Sequence, residues 1–258
     1  MIVTATLLFW GCESTLDSGN GSGKGTMVVK LHDAPVDYDE VNISVARVEV
    51  NNTENESEGW TVISEPNETY NILDLVNGDM AVLADVELEV GTYEQIRLIL
   101  NDENTVVIDG ESYDLFVPSG VQTGVKLNID AEIREGIVYT LLLDFDANRS
   151  VVKRGVTNEY NLKPVIRATN EAITGNVSGT VLPVDARAAV FAIQESDTLS
   201  TTFADTTSGE FTLVGLKSGS YTVSVEPREE GFEPAALDNV DVTVGETNNV
   251  DEIELNTN

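Results

Sequence analysis

Apolar residues at every second position are what most constrains the fold open to this chain. Met27, Val29 and Leu31 alternate with polar or small neighbours, as do Val41, Ile43 and Val45. A period of two puts such residues on one face of an extended strand, whereas a helix needs spacings of three and four. The apolar phase then slips by one residue, to Val48 and Val50, which predicts a β-bulge. Further strands read out at 96–100, 106–108, 113–117 and 125–129, and Asp109-Gly110 between two of them signals a tight hairpin. From Ile137 to Phe145 the inward positions are Tyr139, Leu141, Leu143 and Phe145. Residues Tyr160 to Ile166 read as one last strand, and its Pro164 assigns it to a sheet edge. Only Leu83 to Val90 has spacing that fits a helical turn.

Alternation pauses between Thr169 and Thr174 and resumes in shorter runs. Val177, Gly179 and Val181, Val190 and Ala192, Phe211 and Leu213, Tyr221, Val223 and Val225, Val240, Val242 and Val244, and Ile253 and Leu255 predict six or seven short strands. Turn residues recur every 8–12 positions or so, the rhythm of a small sandwich. The reading is therefore all-β, with two tandem β-sandwich domains, 26–170 and 171–258. One motif occurs in both: Leu88-Glu-Val-Gly91-Thr-Tyr93 and Leu216-Lys-Ser-Gly219-Ser-Tyr221. Tyr93 and Tyr221 so placed resemble the tyrosine corner of immunoglobulin-like sandwiches, which implies structural roles for both.

The 258 residues carry 45 acidic and 14 basic side chains, a formal charge of −31. That balance repels nucleic-acid phosphates and removes counterion release as a source of affinity, so no nucleic-acid partner is expected. It keeps a monomer soluble and suits saline surroundings. Cys12 is the only cysteine, so no intrachain disulfide can form. Ahead of it, Met1 to Trp10 form an uncharged apolar run, too short to span roughly 30 Å of bilayer. Leu-Leu-Phe-Trp-Gly11-Cys12 resembles the bacterial lipoprotein processing box. The resemblance implies a signal peptide at 1–11, a lipid on the Cys12 thiol, and location in the cell envelope, at the outer membrane. The alternative is a buried first strand with a free thiol. Residues 13–25 are almost wholly small and polar and suit a flexible tether, so that 12–25 would hold the folded part off a membrane.

Two family resemblances add to this. Gly209-Glu-Phe-Thr-Leu-Val-Gly-Leu-Lys-Ser-Gly-Ser-Tyr221 lies at the centre of a segment similar to the carboxypeptidase regulatory-like or transthyretin-like module. That resemblance implies a seven-stranded sandwich acting as a non-catalytic spacer or recognition unit. Leu31-His-Asp-Ala-Pro-Val-Asp37, Tyr93-Glu-Gln-Ile-Arg-Leu98 and Leu162-Lys-Pro-Val-Ile-Arg167 resemble an uncharacterised domain family of bacterial lipoproteins.

Little in the sequence points to catalysis. His32 is the only histidine, and neighbours on a strand point to opposite faces, so Asp33 orients it only if the strand ends there. Zinc sites lack their usual ligands. Oxygen side chains do cluster: Asp33, Asp37 and Asp39 follow the first strand, and Asp144, Asp146 and Asn148 alternate at the end of another. An EF-hand fails, because Arg149 stands where its loop needs glycine and Gly155 where it needs glutamate. A calcium site shared between the two loops is the remaining metal expectation, set against solvated turn acids. The first functional reading is a non-catalytic, lipid-anchored binding or spacer module for a protein or glycan partner. The alternatives are a calcium-dependent adhesion module and, behind it, a carboxylate-based hydrolase.

Overall fold

Met27, Val29 and Leu31 form the buried face of β1 (Lys24–Ala34), where each is at most 1% exposed. The computed structural model describes residues 23–34, 36–52, 59–118 and 124–257. β1 pairs in parallel with β10 (Val138–Asp146) and antiparallel with β5 (Ala81–Glu89). With β13 (Ile166–Asn170) they make a four-stranded sheet in the order β13-β10-β1-β5. The facing sheet is built on β2 (Glu40–Asn51). On one side of β2 lie β6 (Gly91–Leu100), then β9 (Val125–Ile133). Beyond its first residues come β7 (Thr105–Ile108), β8 (Glu111–Phe116), β12 (Tyr160–Leu162) and β11 (Val151–Lys153). β3 (Trp60–Ser64) and β4 (Glu68–Asn71) also pair with β2. The two sheets enclose one core, to which Ile43, Ile96, Leu98, Leu115, Leu141 and Phe145 contribute.

The second sandwich has seven strands among the described residues. β14 (Thr174–Leu182) lies between β17 (Glu210–Lys217) and β20 (Thr247–Glu254). The other sheet runs β16 (Asp197–Phe203), β15 (Ala189–Gln194), β18 (Gly219–Glu226) and β19 (Ala235–Val242). It has its own core, built on Val177, Phe211, Leu213, Tyr221, Val223 and Val225.

Two expectations are corrected. Residues 83–90 hold no helical turn; all but Val90 lie in β5. The register with β1 shifts there: Val29 faces Ala84 and Lys30 faces Val82, so Leu83 is the extra residue of a bulge. Leu83 and Ala84 are consequently both buried, and that break in the alternation imitates a helical spacing. Residues 160–166 are not one edge strand either. Lys163, Pro164 and Val165 separate β12, inside the second sheet, from β13, at the edge of the first. Proline donates no ladder bond, and here it marks the crossover between sheets rather than a tolerated edge position.

Candidate functional site at the domain junction

Leu141-Leu142-Leu143 is a continuous apolar run, the mark of a strand covered on both faces. Leu141 and Leu143 enter the first core; Leu142, pointing the other way, is 2% exposed because the second sandwich lies against it. A Cβ added at Gly215 would sit 3.6 Å from the Leu142 Cδ1. Leu199, Val214 and Thr169 complete this contact around His32 and Asp144, leaving a space of about 30 Å3. At its edge the Lys30 Nζ lies 3.0 Å from the Glu171 carboxylate.

His32 is therefore a junction residue, 7% exposed on an outer sheet face. Its Nδ1 is 3.9 Å from the Asp144 carboxylate, which accepts a 2.8 Å bond from the Arg167 Nη2. Burial pushes the imidazole pKa below its ordinary value; Asp144 opposes this and Arg167 adds to it. The uncharged ring is the form that fits between the domains.

A second contact is made by the turn that follows Val76. Asn77 and Gly78 both take positive φ, 59° and 92°, a conformation that asparagine and glycine adopt most readily. The Asn77 side-chain amide lies along the edge of β17 as a peptide group of a neighbouring strand would. Its Oδ1 accepts from the Thr212 backbone N–H at 3.0 Å, and its Nδ2 donates to the Glu210 carbonyl at 3.3 Å. The Thr202 hydroxyl donates to the same Oδ1 at 3.1 Å and accepts from the Asn77 N–H at 3.2 Å. A third contact pairs Arg228 with Asp37 and stacks its guanidinium 4.2 Å from the Phe203 ring centre. Beside it opens a cleft of about 390 Å3, lined by Tyr38, Asp39, Asp74 and Asp109 among others.

Parallel pairing of β1 with β10 brings the two oxygen clusters to the same end of the first sandwich, since His32 faces Asp144 and Ala34 faces Asp146. The side chains then go to separate partners. Asp33 Oδ1 accepts from the Ala147 N–H at 3.2 Å, and Asp39 accepts from the Gly110 N–H at 2.8 Å. Asp37 meets Arg228 and Asp144 meets Arg167. Asp146 caps the short helix α1 (Ala147–Ser150) by accepting from the Arg149 N–H at 2.9 Å, and Asn148 is exposed in that helix. Among the described residues, no three His, Cys, Asp or Glu side chains are grouped so that they could hold a metal ion. Cys12 lies outside the described residues. The Tyr93 hydroxyl donates to the Glu89 carbonyl at 3.2 Å and the Tyr221 hydroxyl to the Lys217 carbonyl at 2.9 Å, each four residues back. Asn77, Arg228 and Leu142 escaped the sequence reading. The Asn-Gly pair and the triple leucine are the signals that could have found two of them; Arg228 has no local signal.

A family model matches residues 24–164, more than half of the chain. The chain belongs to the family described as Domain of unknown function (DUF4382). In this DUF4382 chain, residues 172–256 match a second model, the carboxypeptidase regulatory-like domain. No curated protein matches the chain significantly. Likenesses to solved structures are remote. A cohesin–X-dockerin complex from Acetivibrio cellulolyticus is 18% identical over 32% of this chain and 58% of that one, with a TM-score of 0.26. The minor pilin GBS52 of Streptococcus agalactiae is 12% identical over 90% and 96%, at 0.24. The shaft pilin spaA of Lactobacillus rhamnosus GG is 9% identical over 92% and 97%, at 0.25. This chain spans less than two thirds of the first of these, and 34% of the Bacillus anthracis TIE protein. At such scores these likenesses carry no argument about function.

Proposed function

We propose that this DUF4382 chain is a non-catalytic binding or spacer module of the bacterial cell envelope, held to the outer membrane by a lipid on Cys12. The observation that carries the non-catalytic part is the fate of the chain's one histidine. His32 is sealed between two sandwiches, with no room beside it for a substrate. A general base has to reach the proton it takes, and this one reaches only protein. The junction instead does mechanical work, because three separate contacts fix one sandwich against the other. Such a unit keeps the surfaces of its two sandwiches in one relation to each other, as a spacer or recognition module requires, while the tether sets its reach from the anchor.

The anchor rests on Leu7-Leu-Phe-Trp-Gly-Cys12 and the polar stretch after it. Mass spectrometry of the protein from bacterial membranes tests it. A mature N-terminus at Cys12 carrying a diacylglycerol, and release to the soluble fraction in Cys12→Ser, are the expected results. An unmodified Cys12 thiol in membrane-free protein would overturn the anchor.

A further inference from the structure

The turn that docks against β17 is closed by the Asp79 N–H, which donates to the Val76 carbonyl at 3.0 Å, and Asn77-Gly78 forms its tip. An asparagine followed by glycine is chemically labile, because a residue without Cβ leaves its backbone nitrogen unshielded. In the reaction the Gly78 nitrogen bonds to the Asn77 Cγ. The side-chain nitrogen departs as ammonia, carrying the proton that the backbone gave up. The cyclic imide so formed takes up water. Opening at one carbonyl gives aspartate; opening at the other gives isoaspartate, in which the main chain runs through Cγ. Gly78 is exposed and Asn77 lines a cleft of about 710 Å3, so water has access to the turn. Asn67 and Asn239 also take positive φ, but Glu68 and Val240 follow them and shield the nitrogen.

We propose that Asn77-Gly78 is a spontaneous deamidation site guarded by the docked second sandwich, and that its conversion releases the junction irreversibly. Attack makes the planar Cγ tetrahedral and draws it toward its own main chain. The bonds from the Thr212 N–H and the Thr202 hydroxyl to Oδ1, and from Nδ2 to the Glu210 carbonyl, resist both movements. All three partners belong to the second sandwich, so the amide is freed only where the two domains part. Conversion then prevents them from closing as before. In aspartate an oxygen stands where Nδ2 donated to the Glu210 carbonyl at 3.3 Å, acceptor against acceptor. The new negative charge joins Asp79, Asp205 and Glu210 around the cleft, whose lining includes no basic side chain among the described residues. Isoaspartate adds a main-chain carbon inside the Val76 to Asp79 turn and shortens the side chain, so neither the turn nor the contact keeps its register. Loss of ammonia makes the step one-way.

Ageing the purified full chain at mildly alkaline pH, followed by peptide mapping in a mass spectrometer, tests this. Aspartate and isoaspartate at position 77 are expected to form at least about tenfold faster in urea than in the native protein, because only the opened fraction reacts. Thr202→Val, which removes a hydroxyl bonded to Asn77, is expected to speed the native reaction severalfold, and Leu142→Lys to speed it further. Asn77→Asp, made directly and never aged, is expected to melt in two transitions where the wild type melts in one. Asn20-Gly21, the chain's other such pair, lies outside the described residues and is read from a separate peptide. No conversion in urea overturns the site. Equal rates with and without urea overturn the guard, as does an unaltered native rate in both variants. A single transition at the wild-type midpoint in Asn77→Asp overturns the release. The Cys12 adduct has no part in these readouts, so they fail or hold independently of the anchor.

Discussion

Tyr93 and Tyr221 show how one side chain closes a strand entry. In each, a glycine two residues earlier takes an extended positive φ, 154° at Gly91 and 156° at Gly219, and the hydroxyl returns to a carbonyl four residues back. Tyr221 is 2% exposed, so losing its hydroxyl leaves the Lys217 carbonyl without that donor in a largely dry place. Tyr221→Phe is expected to cost about 1 kcal/mol in urea unfolding, with the slope against denaturant unchanged. An equal midpoint for the two proteins would show that the bond contributes nothing net. His32 gives the residue-scale dependence on pH. Burial holds its pKa in the folded protein below its unfolded value near 6.5, despite Asp144 and with help from Arg167. The unfolded or undocked chain therefore takes up the proton more readily. Stability is complete above the unfolded pKa and falls as pH drops from there toward the folded one. Thermal melts between pH 7.5 and pH 5 are predicted to show a falling midpoint, and His32→Gln to show a shallower fall.

At the scale of elements, β10 carries the junction. Its odd positions, Leu141, Leu143 and Phe145, fill the first core, while Leu142 and Asp144 face the second sandwich. Leu142→Lys puts a charge into that contact while leaving both cores intact. Burying an unpaired charge costs more than parting two surfaces, so the domains are expected to separate and melt in two transitions instead of one. Calorimetry distinguishes the cases; a single transition near the wild-type midpoint contradicts a joint role for Leu142. The same strand explains what was legible beforehand. Alternation gave the inward residues of β1, β2 and β10, because period two is a property of the local backbone. It failed at β5, where a bulge at Leu83 answers to a register set by β1, fifty or so positions away in sequence. It failed again at 160–166, where the chain crosses between sheets at Pro164. The junction was hidden for a related reason. His32 and Asp144 can be seen as residues that carry chemistry, but that a second domain seals them is a tertiary fact. Only Leu142, breaking the alternation, hinted at a covered outer face.

At the scale of the molecule, the edge strands β16 and β17 of the second sandwich lie against the first, so an exposed edge that invites mispairing is put to use as a contact. Asn77 completes β17 with a side-chain amide, Arg228 reaches Asp37, and Lys30 reaches Glu171. The two sandwiches thus form one unit, and the DUF4382 half and the carboxypeptidase regulatory-like half keep a fixed relation. Backbone residual dipolar couplings measured on the whole protein test this claim most directly. A single alignment tensor is expected to fit the amides of residues 24–164 and 172–256 together, and Asn77→Gly, which keeps the turn but removes the amide, is expected to loosen that agreement. Separate tensors of different magnitude for the two halves of the wild type would show that they tumble independently, and would contradict it.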